Sequence, residues 1–147
     1  MNRNIIKKVY QSSPQYKKDL EDGLKAEDLC KEKLESVFGT LNKTDRYCYY
    51  DFINDKYIIE LKSRNIKHNQ FPTAMINLPK IEKWKKKDAN KEFICAFLYT
   101  DGLYYWKYNE AEIESVGKTG RTDRGCVESY DMVYFKNSLL IKINFLA

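Results

Sequence analysis

Histidine is almost absent from this chain: His68 is the single one in 147 residues. That scarcity removes zinc sites built on histidine clusters, HExxH metalloproteases and nucleases that work through paired histidines. Cysteine does not fill the gap. Cys30, Cys48, Cys95 and Cys126 lie far apart with no CxxC or CxxH spacing, and they read as reduced, buried small hydrophobes. A metal held by this chain must therefore be held by oxygen, which selects magnesium, manganese or calcium over zinc or copper. Long apolar runs are missing too: a run such as Ile94-Cys95-Ala96-Phe97-Leu98-Tyr99 is too short to span a bilayer. The N-terminal region, basic around Ile5 and Ile6, lacks the apolar core of a signal peptide, so an intracellular protein is expected.

What is present is globular in composition, with 43% hydrophobic and 32% charged residues. The length suits one domain over residues 1–147, with 1–18 as a basic N-terminal arm and a core large enough to stand without disulfides. The net charge of +5 is unevenly spread. Lys80, Lys83, Lys85, Lys86, Lys87 and Lys91 crowd one stretch against only Glu82 and Asp88. Such a face could neutralise phosphates; a solvated lysine-rich helix is the plainer alternative.

Helical periodicity runs over residues 20–38, with Leu20, Leu24, Leu34 and Phe38 on one stripe and Gly39 as a C-terminal stop. Glu27 projects from the middle of that stripe, where a carboxylate must reach a metal, a cation or an opening in the core. An internal pair with Lys31 is the alternative. The tyrosine-rich residues 46–53 read as a strand and 56–63 as its antiparallel partner, joined by Asn54-Asp55. Residues 65–71 read as a loop. The pattern over 73–87 reads as a helix broken near 77–79, burying Ala74, Met75, Leu78, Ile81 and Trp84. Residues 92–99 and 103–108 form a hairpin about Thr100-Asp101-Gly102. Residues 117–125 read as a basic glycine-containing loop, which is no Walker motif because Glu112 stands where its first glycine is needed. Strands over 131–135 and 139–145 close the chain. Trp84, Trp106 and most of the twelve tyrosines read as packing residues.

The chemistry concentrates between residues 50 and 64. Residues two apart on a strand share a face, so Glu60 and Lys62 point one way with Ile58 and Arg64, while Tyr57, Ile59 and Leu61 point the other. Opposite charges on an otherwise apolar strand are costly unless paired or bound to metal. With Asp51 at the end of the neighbouring strand, the Asp51 and Glu60 carboxylates could converge on one hard cation. The Leu61 carbonyl would be a third ligand, and waters and a substrate phosphate would complete the shell. Lys62 could then orient an attacking water or stabilise the scissile phosphate, and Glu27 could serve a second ion or a water held by the first. Structural ion pairing of the same residues is the competing reading.

Asp51 followed by Glu60-Leu61-Lys62 resembles the motif of the PD-(D/E)xK nuclease superfamily, the restriction-endonuclease-like fold. Gly23 with Glu27 four residues later is similar to the glutamate often found on that superfamily's first helix. The motif's proline is Tyr50 here. The resemblance implies an α/β fold with a central mixed sheet flanked by helices in the order αβββαβ, here with extra C-terminal strands. It implies hydrolysis of DNA phosphodiester bonds with Mg2+ or Mn2+, with Asp51, Glu60, Lys62 and Glu27 catalytic and Asp51, Glu60, Leu61 (by its carbonyl) and Glu27 on the metal. Gln70 and Thr73 follow the third strand, where related folds place groups that contact water or phosphate. Lys80, Lys83, Lys87, Arg121 and Arg124 are the candidates for gripping the nucleic-acid backbone. A catalytically inactive nuclease-fold binding module and a protein-interaction domain are the alternatives. A homodimer would suit cleavage of both strands of a duplex, and the Lys-, Asn-, Ile- and Tyr-rich composition suits an AT-rich genome such as that of a phage.

Overall fold

The computed structural model describes residues 14–45, 48–121 and 128–144. Most of the expected N-terminal arm, Arg124 and Cys126 lie outside these, as do the side chains of Leu24 and Arg121. The elements run α1 (Pro14–Phe38), β1 (Asn42–Lys43), β2 (Phe52–Ile53), β3 (Tyr57–Ser63), β4 (Thr73–Asn77), α2 (Leu78–Lys87), β5 (Glu92–Tyr99) and β6 (Gly102–Lys107). A 3-10 turn (Glu110–Glu112), β7 (Ile113–Arg121), β8 (Glu128–Lys136), a second 3-10 turn (Asn137–Leu139) and β9 (Ile141–Lys142) follow. No described helix is long and apolar enough to cross a membrane.

Six strands form one sheet in the order β1-β2-β3-β5-β6-β9, and β4-β8-β7 form a second. β3 and β5 run parallel, with Glu60 opposite Cys95 and Lys62 opposite Phe97. Parallel neighbours need a long crossover, and residues 64–91 supply it as β4 and α2. Both central strands are covered on both faces, as their continuous apolar runs require. On one face Ile59, Leu61, Ile94 and Ala96 pack against α1 through Ala26, Cys30, Leu34 and Phe38. On the other, Ile58, Phe93, Cys95 and Phe97 meet Ile81 of α2 and Ala74, Ile76, Val133 and Phe135 of the second sheet. Trp106 stacks on Phe135 there, with ring centroids 4.0 Å apart. Cys30 and Cys95 are buried free thiols, as expected, and Cys48 is half-buried.

α1 is longer than the residues 20–38 expected, and its buried stripe is Ala26, Cys30, Leu34 and Phe38, a strict four-residue repeat. Gly39 ends it at a φ of +85°, a conformation that glycine adopts without the clash of a Cβ. Glu35 caps the end, accepting from the Leu41 N–H at 2.9 Å. Lys31 therefore pairs with Glu35 at 3.3 Å and not with Glu27. Asn54 ties the helix to the β2–β3 turn: its Nδ2 donates to the Phe38 carbonyl at 2.9 Å, and its Oδ1 accepts from the N–H groups of Lys56 and Tyr57.

Four sequence expectations need correction. Of the expected strand over 46–53, residues 46 and 47 lie outside the described residues, 48–51 are not strand, and β2 holds only Phe52 and Ile53. Tyr49 and Tyr50 are drawn into side-chain contacts instead, Tyr49 donating to Asp88 at the end of α2 and meeting Tyr50 edge-on at 4.7 Å. Residues 73–77 are β4 and not helix. Ala74 and Ile76 alternate inward and pair opposite Phe135 and Val133, and the helix begins only at Leu78, with Pro79 in its first turn where no N–H is missed. Up to Arg121 the expected glycine loop is strand β7, paired with β8 from Ile113 opposite Phe135 to Arg121 opposite Glu128. The closing strand shrinks to Ile141–Lys142, because the chain first makes a 3-10 turn.

Replacing Asn54 by Ala should remove both its turn bonds and its tie to α1. A loss of about 2 kcal/mol is expected, seen as a melting temperature lower by several degrees. An unchanged thermal melt would contradict the role assigned to Asn54.

Candidate active site

Asp51 stands just before β2 and is pinned by its backbone. Its N–H donates to the Ile59 carbonyl at 2.8 Å, and its own carbonyl accepts from the Thr44 N–H at 3.0 Å. The side chain is thereby aimed across the hairpin, where Oδ2 accepts from the Leu61 N–H at 2.7 Å, on the peptide that links Glu60 to Leu61. Glu60 lies at the centre of β3 and is 4% exposed, the single charged residue among the described buried ones. Its Oε1 accepts from Lys62 Nζ at 2.8 Å and also from Lys80 Nζ. Strand parity delivers Lys62 from the same face, and the first turn of α2 delivers Lys80. Glu27, half-buried on α1, hydrogen-bonds with the Asp51 carboxyl and lies 3.5 Å from Lys43.

These groups line one cleft of about 620 Å³ that also includes Gly23, Leu61 and Arg64. Six carboxylates face it (Asp19, Asp22, Glu27, Asp45, Asp51 and Glu60) against four cations (Lys43, Lys62, Arg64 and Lys80). The excess of hard oxygen ligands suits a small divalent cation. Among the described residues, however, no three Asp, Glu, His or Cys side chains are gathered as a closed metal cage. The lysines hold Glu60 in that arrangement, supplying positive charge to its buried carboxylate.

The titration behaviour follows from the same contacts. Burial first, then repulsion from Glu60 and the hydrogen bond with Glu27, push the Asp51 carboxyl up to about 8, against the opposing Leu61 N–H. Burial alone would raise Glu60 as well, but Lys62 and Lys80 together hold it below the ordinary carboxylate range. The attraction of Glu60 in turn raises Lys62 against the effect of its burial, so Lys62 is an ammonium and suits positioning rather than proton abstraction. Two neighbouring carboxyls are thus kept in different protonation states by their surroundings.

The cleft gathers Glu27, Asp51, Glu60, Leu61 and Lys62, as the motif implies, and adds Lys80 as a direct partner of Glu60. Lys83 and Lys87 are exposed on α2 and do not line it. Gln70 is exposed in the loop after β3, and Thr73 in β4 lines a separate depression. His68 ties its loop to the β5–β6 turn, its backbone N–H donating to Asp101 Oδ1 at 3.0 Å and its ring stacked on Tyr104. Arg64 was not assigned to the site from the sequence, and Lys80 was expected to grip the nucleic-acid backbone, not to pair with Glu60. Arg64 was legible as the next residue on the Glu60–Lys62 face, whereas the Lys80–Glu60 contact spans 20 positions with no spacing rule to reveal it.

Comparison with known proteins agrees with this geometry. The sequence matches the model of a family described as phage putative PDDEXK endonuclease over residues 12–143. Among solved structures the chain is similar to the Holliday junction resolvase Hjc of Archaeoglobus fulgidus, with a TM-score of 0.52 over 86% of this chain and 99% of that one. At 12% identity that likeness establishes the fold, a restriction-endonuclease-like core, and nothing finer. No curated protein matches the sequence. With nine-tenths of its length matched and the motif residues lining one cleft, the chain belongs to the phage PDDEXK endonuclease family and is a nuclease, a hydrolase of phosphodiester bonds.

Proposed function

We propose that this nuclease cuts DNA with Mg2+ or Mn2+ as cofactor, with Asp51, Glu60 and the Leu61 carbonyl as metal ligands and Glu27 as an accessory one. The observation that carries the reading is the convergence of Glu27, Asp51, Glu60 and Lys62 from separate elements on one cleft rich in carboxylates. When bound, such a cation supplies Lewis acidity that activates water and offsets charge building on the phosphate. The chain's own residues do the rest. The buried sheet fixes Glu60, and the Leu61 N–H orients Asp51. Lys62 and Lys80, which share one Glu60 oxygen, present two ammonium groups to an entering phosphate. Lys83 and Lys87, exposed on α2, and Arg121 and Arg124 are candidates to grip the nucleic-acid backbone. Gln70, exposed in the loop after β3, and Thr73, at the neighbouring depression, are candidates for contacting the nucleic acid outside the cleft. Cutting both strands of a duplex would engage two copies of the chain.

Lys62→Ala should lower kcat by about 10²-fold or more while metal affinity, measured by calorimetry, and the far-UV circular dichroism stay close to wild type. Asp51→Asn should lose both metal affinity and cleavage. Undiminished cleavage of DNA by either variant, in magnesium or manganese, would overturn this assignment, and retained DNA binding without any cleavage by the wild type would favour the inactive binding module.

A pH dependence follows from Asp51. Its folded value of about 8 lies above its ordinary 3.8, so burial favours the protonated acid and stabilises the fold below about pH 4; that stability is lost as pH rises through 8. In EDTA the melting temperature should carry a falling contribution between those limits, and Asp51→Asn should remove it. Magnesium should stabilise the wild type more at pH 8.5 than at pH 6, since proton and cation compete for the same oxygens. A magnesium shift independent of pH would count against Asp51 as a ligand.

A further inference from the structure

Beside the catalytic cleft lies a second depression of about 320 Å³, mostly apolar, with Phe97 and Tyr99 of β5, Met75 of β4, Tyr134 of β8 and Phe71 around it. Arg64 lines both this depression and the catalytic cleft, so the two are neighbours sharing a wall. Strand geometry accounts for the join. Glu60, Lys62 and Arg64 succeed one another on one face of the chain at steps of about 6.6 Å. The Arg64 N–H continues the pairing of β3 with β5 by donating to the Leu98 carbonyl at 2.8 Å. The loop that follows then returns through Phe71 and Pro72 to β4.

Phe71 is 55% exposed. A large aromatic that lines an apolar hollow while more than half exposed gains little for the fold and leaves apolar surface open to whatever enters. The occupant must be apolar on its faces, narrow enough for the hollow, and joined to a group that runs past Arg64 into a phosphate-hydrolysing cleft.

We propose that the depression takes an unpaired nucleobase of the strand being cut, one step or so from the phosphate in the catalytic cleft, so that the substrate class is nucleic acid with single-stranded or splayed bases at the cut. The proposal rests on the nuclease reading above. A base within a closed duplex is stacked between its neighbours and cannot enter, whereas an unstacked one gains an aromatic contact. Phe71, Tyr99 and Tyr134 supply aromatic surface, and Arg64 holds the intervening backbone.

The test separates binding from cleavage. Oligodeoxynucleotides that are single-stranded, forked or fully paired are titrated by fluorescence anisotropy in EDTA against the wild-type chain, Phe71→Ala and Phe71→Trp. Phe71→Ala should weaken binding of the single-stranded and forked probes by roughly 5- to 100-fold and of the paired duplex by less than twofold, with Phe71→Trp restoring it. An abasic site walked along the forked probe should weaken wild-type binding at one register only, adjacent to the bond cut in magnesium, and that penalty should vanish in Phe71→Ala. Because the abasic scan uses the wild type, it stands even where the alanine variant fails to fold. A flat abasic scan, or equal loss on duplex and forked probes, overturns the pocket while leaving the nuclease intact. Cleavage of no nucleic acid in magnesium or manganese, with the register-specific penalty retained, would instead overturn the catalytic reading and leave the base site standing.

Discussion

A carboxylate at the centre of a buried sheet must be compensated, and the arrangement of this protein around Glu60 follows from that requirement. Glu60 sits between two apolar layers and draws Lys62 from its own strand and Lys80 from α2 onto a single oxygen. With two lysines on that oxygen the loss of one leaves the other in place, whereas losing both would leave a buried charge uncompensated, which costs far more than the pairs contribute when intact. The lysine contacts thus hold the first turn of α2 against β3, with Ile81 packed into the layer beneath. They also make the site responsive, since a phosphate offers both ammonium groups an alternative partner.

Asp51 is the counterpart that, among the described residues, has no lysine hydrogen-bonded to it as Glu60 has. Its surroundings supply one backbone N–H and two carboxyl neighbours, so it holds its proton far above the ordinary carboxylate range. The contrast between a charged Glu60 and a protonated Asp51 comes from position alone: one lies within reach of two lysines on the strand face, the other on the hairpin edge facing α1. Residues drawn from α1, the β2–β3 hairpin and α2 meet because β3 and β5 are parallel, which forces the chain out through β4 and α2 before it can return. That crossover carries Lys80 to the cleft and places β4 beside the neighbouring aromatic depression.

Much of this was legible beforehand, where local pattern and physical role coincide. The helix ending at Gly39, the hairpin turn at Asn54, the β5–β6 hairpin and the shared face of Glu60 and Lys62 follow from periodicity, turn chemistry and strand parity, while the place of Asp51 beside them was implied by the motif's resemblance. The misreadings share a cause, which is that a distant partner outweighed local propensity. Residues 73–77 are a strand because β8 is there to pair with them, although their apolar spacing also fits a helix. Tyr49 and Tyr50 have high strand propensity, but Tyr49 is claimed by Asp88 and the two pack on one another. Residues 117–121 carry glycines and a basic charge, yet β8 recruits them as an edge strand.

The sequence by itself determined which atoms could do chemistry: one histidine and scattered cysteines leave oxygen ligands, and the spacing within Glu60-Leu61-Lys62 puts carboxylate and ammonium on one face. Those are consequences of covalent order and of the two-residue period of a strand, which hold before any folding. Only the tertiary structure decided that Lys80 shares Glu60 with Lys62, that Glu27 meets Asp51 and Lys43 instead of Lys31, and that Arg64 stands between the cleft and an aromatic hollow. Each of those depends on burial and on contacts between elements far apart in the chain, which are set by how helix and sheet pack and not by any local spacing.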